Sequence, residues 1–498
     1  MIENAQRPRQ TSKNTSKGER RETMSQVKMH GSRVLISVLL GTFTVSLNNS
    51  ALNLAVAELM DTFQASAVLV SWVVTLFLIS MGMTMPMTGY LADRFGKKRI
   101  YLLGLWLFLA GSLAGAAAQG LGGIILARGI QGIAAGLMIP LSLSLIFAAY
   151  PSDQRGKASG IWGFAVMLAP AIGPTVGGLL LEVTHQWRAL FLMNVPFALA
   201  GLVSAHLYLP NEAPNRQRRF DFYGFFFVTL GMGGVLFALG SMRTLEDLLS
   251  LDHLVPLVLG SVALAVFVWV EKRVVHPLLN LGLFAVQRYR ASVIIACIQA
   301  VVTFGCILLI PLWMQHAQGY GALATGLIFL PTAIAAACCS PYAGSLIDRY
   351  SPRWVITAGL VVTTASLAGM GMLEIAAPLW MAGALMALRG IGQGFAYLPS
   401  TTVGLNDLPN DAVAQGSAMN NISRRLLSSV GIVALSLYYE LRVSHQLALG
   451  VPMTEASAQT SSEAFLVLAF MTCLAIPLAL SLRSHRDQKE EPRYQTHP

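Results

Sequence analysis

Charge is scarce in this chain: only 12% of its residues are Asp, Glu, Lys or Arg, against 54% hydrophobic. That balance excludes an ordinary water-soluble protein of 498 residues and makes lipid the solvent. Cysteine is scarce too, and Cys297, Cys306, Cys338, Cys339 and Cys473 all fall in apolar runs of the second half. Without His and Cys at ligand spacing, they read as packing residues, not as a zinc or disulfide set. There is no G-x-x-x-x-G-K-[ST] phosphate loop, since Gly156-Lys157-Ala158 does not qualify, and no H-E-x-x-H pair. With no soluble stretch long enough for a catalytic domain, the chain is not expected to be an enzyme or an ATPase. Acids are also missing from the middle of every apolar run: Glu58 and Asp61 lie beyond the first, and Glu182, Glu374 and Glu440 near run ends.

What the chain has instead is apolar segments of spanning length. About 20 apolar residues cross a hydrocarbon core, and we place fourteen such segments. They lie at 34–56, 67–91, 99–119, 121–149, 158–182, 188–208, 222–243, 253–271, 290–315, 322–346, 354–376, 379–404, 413–441 and 463–482. A twelve-span reading would need one pair fewer, yet both central segments are long enough to cross. The expected fold is an all-α polytopic membrane protein with fourteen transmembrane helices. Its parts are a disordered basic tail over 1–33, a six-helix half over 34–208, two inserted helices over 222–271, a second six-helix half over 290–482, and a tail over 483–498. The first apolar run has full span length and flows into the bundle, unlike a cleavable signal.

Lys and Arg cluster before the first span and in loops 94–99, 153–157, 216–219, 272–290 and 349–353. The positive-inside rule puts those loops and both termini in the cytoplasm of a cell whose inner membrane holds the bundle. The net charge of +10 is then a topology signal and not a nucleic-acid footprint.

One pattern occurs twice, as Gly89-Tyr90-Leu91-Ala92-Asp93-Arg94-Phe95-Gly96 and as Gly344-Ser345-Leu346-Ile347-Asp348-Arg349-Tyr350-Ser351. Each copy is followed by an apolar segment and then by one carrying an arginine, Arg128 with Gln131 in the first half and Arg389 with Gln393 in the second. The chain is thus read as two parallel six-helix repeats around two central inserted helices, an organisation in which two halves rock about a midplane site. Gly89 permits close helix packing, while Asp93 can accept from a neighbouring helix N-terminus and Arg94 holds the basic face. A solvated turn explains Lys97, Lys98 and Arg99 but not the recurrence of the Gly-to-Asp spacing. In the fifth span, Gly173, Pro174, Gly177 and Gly178 combine close backbone approach with a proline kink, as a bending helix or ordinary tight packing would require. A guanidinium inside a span, as at Arg128, is costly and faces a cavity, a partner or a substrate path, or else donates to neighbouring carbonyls.

Together these residues resemble the major facilitator superfamily, and within it the fourteen-span drug:proton antiporter branch, over roughly residues 33–483. Gly89 to Arg99, Gly96 included, is similar to the signature G-x-L-a-D-r-x-G-r-k between the second and third helices. Residues 169–178 are similar to G-x-x-x-G-P-x-x-G-G, with Ala169 in place of the first glycine. Trp187 to Pro196 fits the branch pattern W-R-x-x-F-x-x-N-x-P, where Trp187 and Arg188 suit an interfacial anchor. Gly416, Asn421 and Arg424 fit a thirteenth-helix pattern, either lining the path or knitting helices together. The resemblance implies that the Gly89 loop latches an outward-facing state, that the fifth-span motif accompanies export, and that Arg128 beside Gln131 takes part in proton coupling.

The sharpest departure is in the first span, where the branch reads L-D-x-T-x-x-N-x-A-L-P and this chain reads Leu47-Asn48-Asn49-Ser50-Ala51-Leu52-Asn53. Asn53 is retained, but Asn48 replaces the acid, and an amide neither titrates nor carries charge. Three routes stay open: coupling through a helix-end acid such as Glu58, Asp61 or Glu182; a substrate that carries the proton; or uncoupled facilitation. With Arg128, Arg389, Arg424 and Arg425 as the charges near a cavity, an anionic or neutral amphipath fits better than a dication. The expectation is an exporter of small amphipathic toxic compounds, surrounded by membrane lipids, with no metal, no cofactor beyond a proton gradient, and an unspecified accessory partner.

Overall fold

The computed structural model describes residues 12–52, 55–211, 220–242, 247, 250–274 and 277–482, and among these it contains helices and no strand. The first half comprises α1 (Ser12–Ala51), α2 (Ala55–Phe63), α3 (Ala67–Thr84), α4 (Met87–Phe95), α5 (Lys97–Ala117), α6 (Leu121–Ala149), α7 (Arg155–Thr184), α8 (Arg188–Leu192) and α9 (Asn194–Tyr208). The inserted pair is α10 (Phe222–Ser241) and α11 (Leu251–Glu271). The second half holds α12 (Gln287–Leu312), α13 (Ala322–Leu327), α14 (Leu330–Arg349), α15 (Pro352–Gly371), α16 (Leu379–Asn406), α17 (Val413–Ala448), α18 (Met453–Leu474) and α19 (Ile476–Leu480).

An apolar solvent leaves backbone N–H and C=O groups no outside partner, so these runs close their bonds internally as helices. Polar side chains cap some of the ends: Ser66 Oγ accepts from Leu69 N at the start of α3, and Asp221 Oδ1 accepts from Gly224 N at 2.8 Å at the start of α10.

Twelve helical segments among the described residues are long and apolar enough to cross a membrane, and a thirteenth is gained if the bent pair Leu69–Thr84 and Met87–Phe95 counts as one. The 56° bend falls where Pro86 removes a backbone donor. Our count of fourteen adds α16, which is helical over its whole length but, with Arg389, Gln393 and many glycines, falls short of that apolarity. Two boundaries also differ from expectation. Residues 12–33, read as disordered, are helical and form the first part of α1, and the hairpin between the last two spans is longer than expected. There, α17 continues to Ala448 and α18 begins at Met453. At 36 residues, α17 measures about 54 Å, well beyond a hydrocarbon core of about 30 Å. Residues 1–11 and 483–498 lie outside the described residues.

In the first half α1 packs on α6, α7 and α9, α5 on α6 and α9, and α3 on α6; in the second, α12 packs on α16, α17 and α18, and α15 on α16 and α18. The halves meet through α7 with α14 and α16, and through α4 and α6 with α17. The inserted helices pack on each other, and α10 also lies against both α3 and α17, one from each half.

Candidate functional site

Arg128 is fully buried on α6, and its hydrogen-bond acceptors among the described residues are all neutral. Its Nε donates to Val73 O at 3.0 Å, and Nη1 donates to Asn48 Oδ1 at 2.7 Å and Gln131 Oε1 at 3.0 Å. Nη2 reaches Asn49 Oδ1 at 3.5 Å, and the guanidinium lies 4.1 Å from the Phe77 ring centroid. Gln131 is held in turn, donating to Ser112 Oγ at 2.9 Å. Asn48 therefore occupies the position at which an acid would form an ion pair, and its buried Nδ2 has no partner. The sequence reading paired Arg128 with Gln131 and named Asn48 among the path or coupling residues without placing it; here Asn48 accepts from Arg128, and Asn53 lies outside the described residues.

On the face that carries the basic loops, the two halves are sealed by a glycine seam. A Cβ on Gly160 of α7 would sit 2.5 Å from Ser340 O and 2.9 Å from Pro341 Cα, and one on Gly344 of α14 would meet the carbonyl oxygen of Gly156. Only hydrogen fits between these backbones. Polar contacts tie the seam: Ser340 Oγ donates to Gly160 O at 3.0 Å, and the Ser159 and Thr402 hydroxyls lie 2.8 Å apart. At its end the Asp348 carboxylate accepts from Gly156 N at 2.8 Å and Lys157 N at 2.7 Å. These N–H groups belong to the first turn of α7, which has no internal acceptors for them, so the anion also meets the positive end of the helix dipole. Arg155 adds bonds to Asn406 Oδ1 at 3.2 Å and Asn410 Oδ1 at 2.8 Å across the halves.

The first copy of the repeated pattern takes the equivalent place, with Gly89 of α4 against Gln415 of α17, whose Cγ would be 2.6 Å from an added Cβ. Asp93 and Arg94 are half-buried at the end of α4, and Gly96 closes that helix with φ 93°, a left-handed value suited to glycine. The fifth-span glycines work inside the first half: Gly173 packs on Ser50 and Gly177 on Ala51 of α1. Pro174 cannot donate to Pro170 O, and Ser50 Oγ does so instead, at 2.8 Å. Pro174 itself is exposed and Gly178 half-buried.

A cavity of about 530 Å³ lies between α3, α10, α12 and α17. Arg424 and Arg425 line it with Asn421, Ser428 and Ser429, opposite apolar side chains such as Leu236 and Phe304. Arg424 stacks 4.3 Å from the Tyr397 ring centroid, and among the described residues Arg425 Nη2 donates to the Met81 thioether sulfur alone, at 3.3 Å. Asn421 Nδ2 donates to Ser417 O at 2.9 Å, leaving its carbonyl for the cavity. Arg389, like Arg128, is buried inside a span, on α16, but unlike that of Arg128 its Nε has no hydrogen-bond partner.

Several residues went unread. Gly156, Gly160 and Gly163 recur on one face of α7, a spacing present in the sequence, of which only Gly156 was considered, and then only as part of a phosphate loop that does not qualify. Glu463, taken for a span-edge residue, lies well inside α18, where Arg442 holds it in a two-pronged ion pair at 2.8 and 3.0 Å. Buried Asp221 and Glu271 meet at one end of the inserted pair, beside Gly224. Trp187, read as an interfacial anchor, is instead buried against Phe63 and Phe191, while Arg188 donates to Ala118 O at 3.1 Å. Of the cysteines only Cys297 and Cys306 are buried; Cys338 and Cys473 sit on the bundle exterior.

The sequence profile of the major facilitator superfamily matches residues 38–432. This chain belongs to that superfamily. Among superfamily members it is 27% identical over 455 residues to the lincomycin resistance protein LmrB of Listeria monocytogenes, covering 90% of this chain and 96% of that one. It is 30% identical over 404 residues to the multidrug resistance protein Stp of Mycobacterium tuberculosis, covering 80% and 74%. The superfamily fold is reproduced in the solved proton:xylose symporter XylE, with a TM-score of 0.64 at 15% identity over 91% of this chain and 96% of that one. The chain is a multi-pass membrane transporter, not an enzyme.

Proposed function

We propose that this protein exports small amphipathic toxic compounds across the cytoplasmic membrane by alternating access, with the basic-loop face and both termini in the cytoplasm. The observation that carries this reading is the glycine seam between α7 and α14, clamped by Asp348 on the basic-loop face, while a partly apolar cavity lies elsewhere between the halves. A seam that relies on backbone contact and first-turn N–H groups opens or closes as a unit, as two-state access requires. The resistance proteins LmrB and Stp are consistent with toxic compounds as cargo.

The proposed energy source is a proton gradient. A second reading, uncoupled facilitation, is favoured by Arg128, whose hydrogen-bond acceptors are carbonyls and amides with no titrating group. Flux of a fluorescent amphipath in proteoliposomes, with and without an imposed pH gradient and a protonophore, separates them. Uphill flux that collapses with the gradient establishes antiport. Downhill flux alone establishes a facilitator, and no protein-dependent flux of any amphipath overturns the transport reading for this class of cargo.

A further inference from the structure

We infer that the cavity between α3, α10, α12 and α17 is a receptor for organic anions, whose acidic head is held by Arg424 and Arg425 and whose apolar body lies against the inserted helix α10. This assignment rests on the transport reading and names its substrate class. Arg424 and Arg425 both line the cavity, and neither has a carboxylate partner among the described residues. Among the described residues their contacts include an aromatic face, a thioether and, for Arg424, the Cys297 thiol, and Arg424 Nε has no hydrogen-bond partner, so most of the five guanidinium donors of each stay unused. Two adjacent cations in a low-dielectric setting repel each other and lose hydration, a penalty that one carboxylate or sulfonate relieves for both. Guanidinium also suits such heads geometrically, by paired donation to two oxygens.

The rest of the cavity specifies the remainder of the ligand. Ser428 and Ser429 lie one turn from the arginines, near enough to hydrogen-bond polar atoms next to the head, while Leu78, Leu236, Leu239 and Phe304 offer an apolar wall. A volume of about 530 Å³ takes a molecule of one to three rings. Because α10 supplies Leu236, Leu239 and Gly240, the inserted pair is part of the binding site and not a passive linker between halves. Arg425 reaching Met81 of α3 from α17 places the anion where the two halves meet, so occupancy bears directly on their rocking.

The test uses three dansyl compounds sharing one fluorophore: dansylglycine (a carboxylate), its neutral glycinamide, and cationic dansylcadaverine. Binding to the purified full-length protein is read by tryptophan-to-dansyl energy transfer, and flux of each compound is followed in proteoliposomes. The carboxylate is expected to bind at least tenfold tighter than the amide. Arg425→Gln should abolish that preference, Arg425→Lys should retain part of it, and Gly240→Trp, which fills the cavity from α10, should weaken all three ligands together. Equal affinity for carboxylate and amide, or preference for the amine, overturns the anion assignment while flux of the amine still supports export. Arg425→Gln and Arg425→Lys both retaining the full preference overturns the role of this arginine pair. Monodisperse elution shows that each variant is folded, and for Arg425→Gln and Arg425→Lys unchanged binding of the neutral amide shows it as well.

Discussion

Replacing Asp348 by Asn should open the basic-loop face. In the wild type, two charge-assisted bonds of 2.8 and 2.7 Å join the carboxylate to the first turn of α7. Hydrogen bonds to charged groups contribute about 1.5–3 kcal/mol each, and an anion at a helix N-terminus about 0.3–1 kcal/mol more. Asparagine keeps one acceptor, uncharged, and turns an amide N–H₂ toward the second donor. The loss is about 2–4 kcal/mol, and the half-exposed position argues for the lower end. If the clamp exists only while the face is shut, about 2 kcal/mol shifts the closed-to-open ratio about 30-fold. Ser159→Cys, in a background with the five native cysteines replaced, reports this ratio, because Ser159 is buried in the seam against Thr402. Alkylation of this thiol by N-ethylmaleimide should accelerate by about 30-fold when Asp348→Asn is added. An increase below about threefold would refute the view that the carboxylate holds the seam.

Three further outcomes follow from the same geometry. Gly160→Ala places a methyl group 2.5 Å from a backbone oxygen that cannot move away without parting the halves, so the same thiol should label faster and export should fall, whereas Gly122→Ala on α6, with open space around it, should do neither. Asn48→Asp sets a carboxylate 2.7 Å from the Arg128 hydrogen-bonding nitrogen and removes an orphaned amide worth about 1–3 kcal/mol. Its flux should gain a titrating step absent from the wild type, and superimposable pH profiles would show that position 48 does not govern coupling. Arg128→Met strands acceptors on Asn48, Gln131 and Val73 but no acid, so the melting temperature in detergent should fall, yet by less than the 3–5 kcal/mol typical of breaking a buried ion pair; a drop equivalent to that full amount would reveal an acidic partner.

The sequence made the helical architecture and the Arg128 cluster legible because both rest on local signals: apolar runs of spanning length, and polar residues in unusual positions. It revealed that Asp348 repeats Asp93, but not what either touches. The acceptors and donors of the seam are about 180 to 250 residues apart in sequence, as with Gly160 and Ser340 or Arg155 and Asn410, and no periodicity encodes such a pairing. Gly156 has a plain reading only when Gly344 is seen opposite it. Span edges failed for a different reason. The end of α17 remains helical outside any plausible hydrocarbon slab, and hydropathy measures where lipid stops, not where a helix stops.

That overlong hairpin behaves as a lever. Its two arms are stitched near the tip by Gln446 donating to Gln459 and lower down by the Arg442–Glu463 pair, so they move as one stiff rod fixed to the second half. A rod whose tip stands about 35 Å from a midplane pivot converts a rocking angle of about 10° into a sweep of about 6 Å. Motions too small to resolve inside the bundle are thereby magnified at a place that aqueous reagents reach. A spin label or a conformation-selective antibody fragment on Leu449 would, on the topology we propose, read the transport cycle from outside the cell, without entering the substrate path.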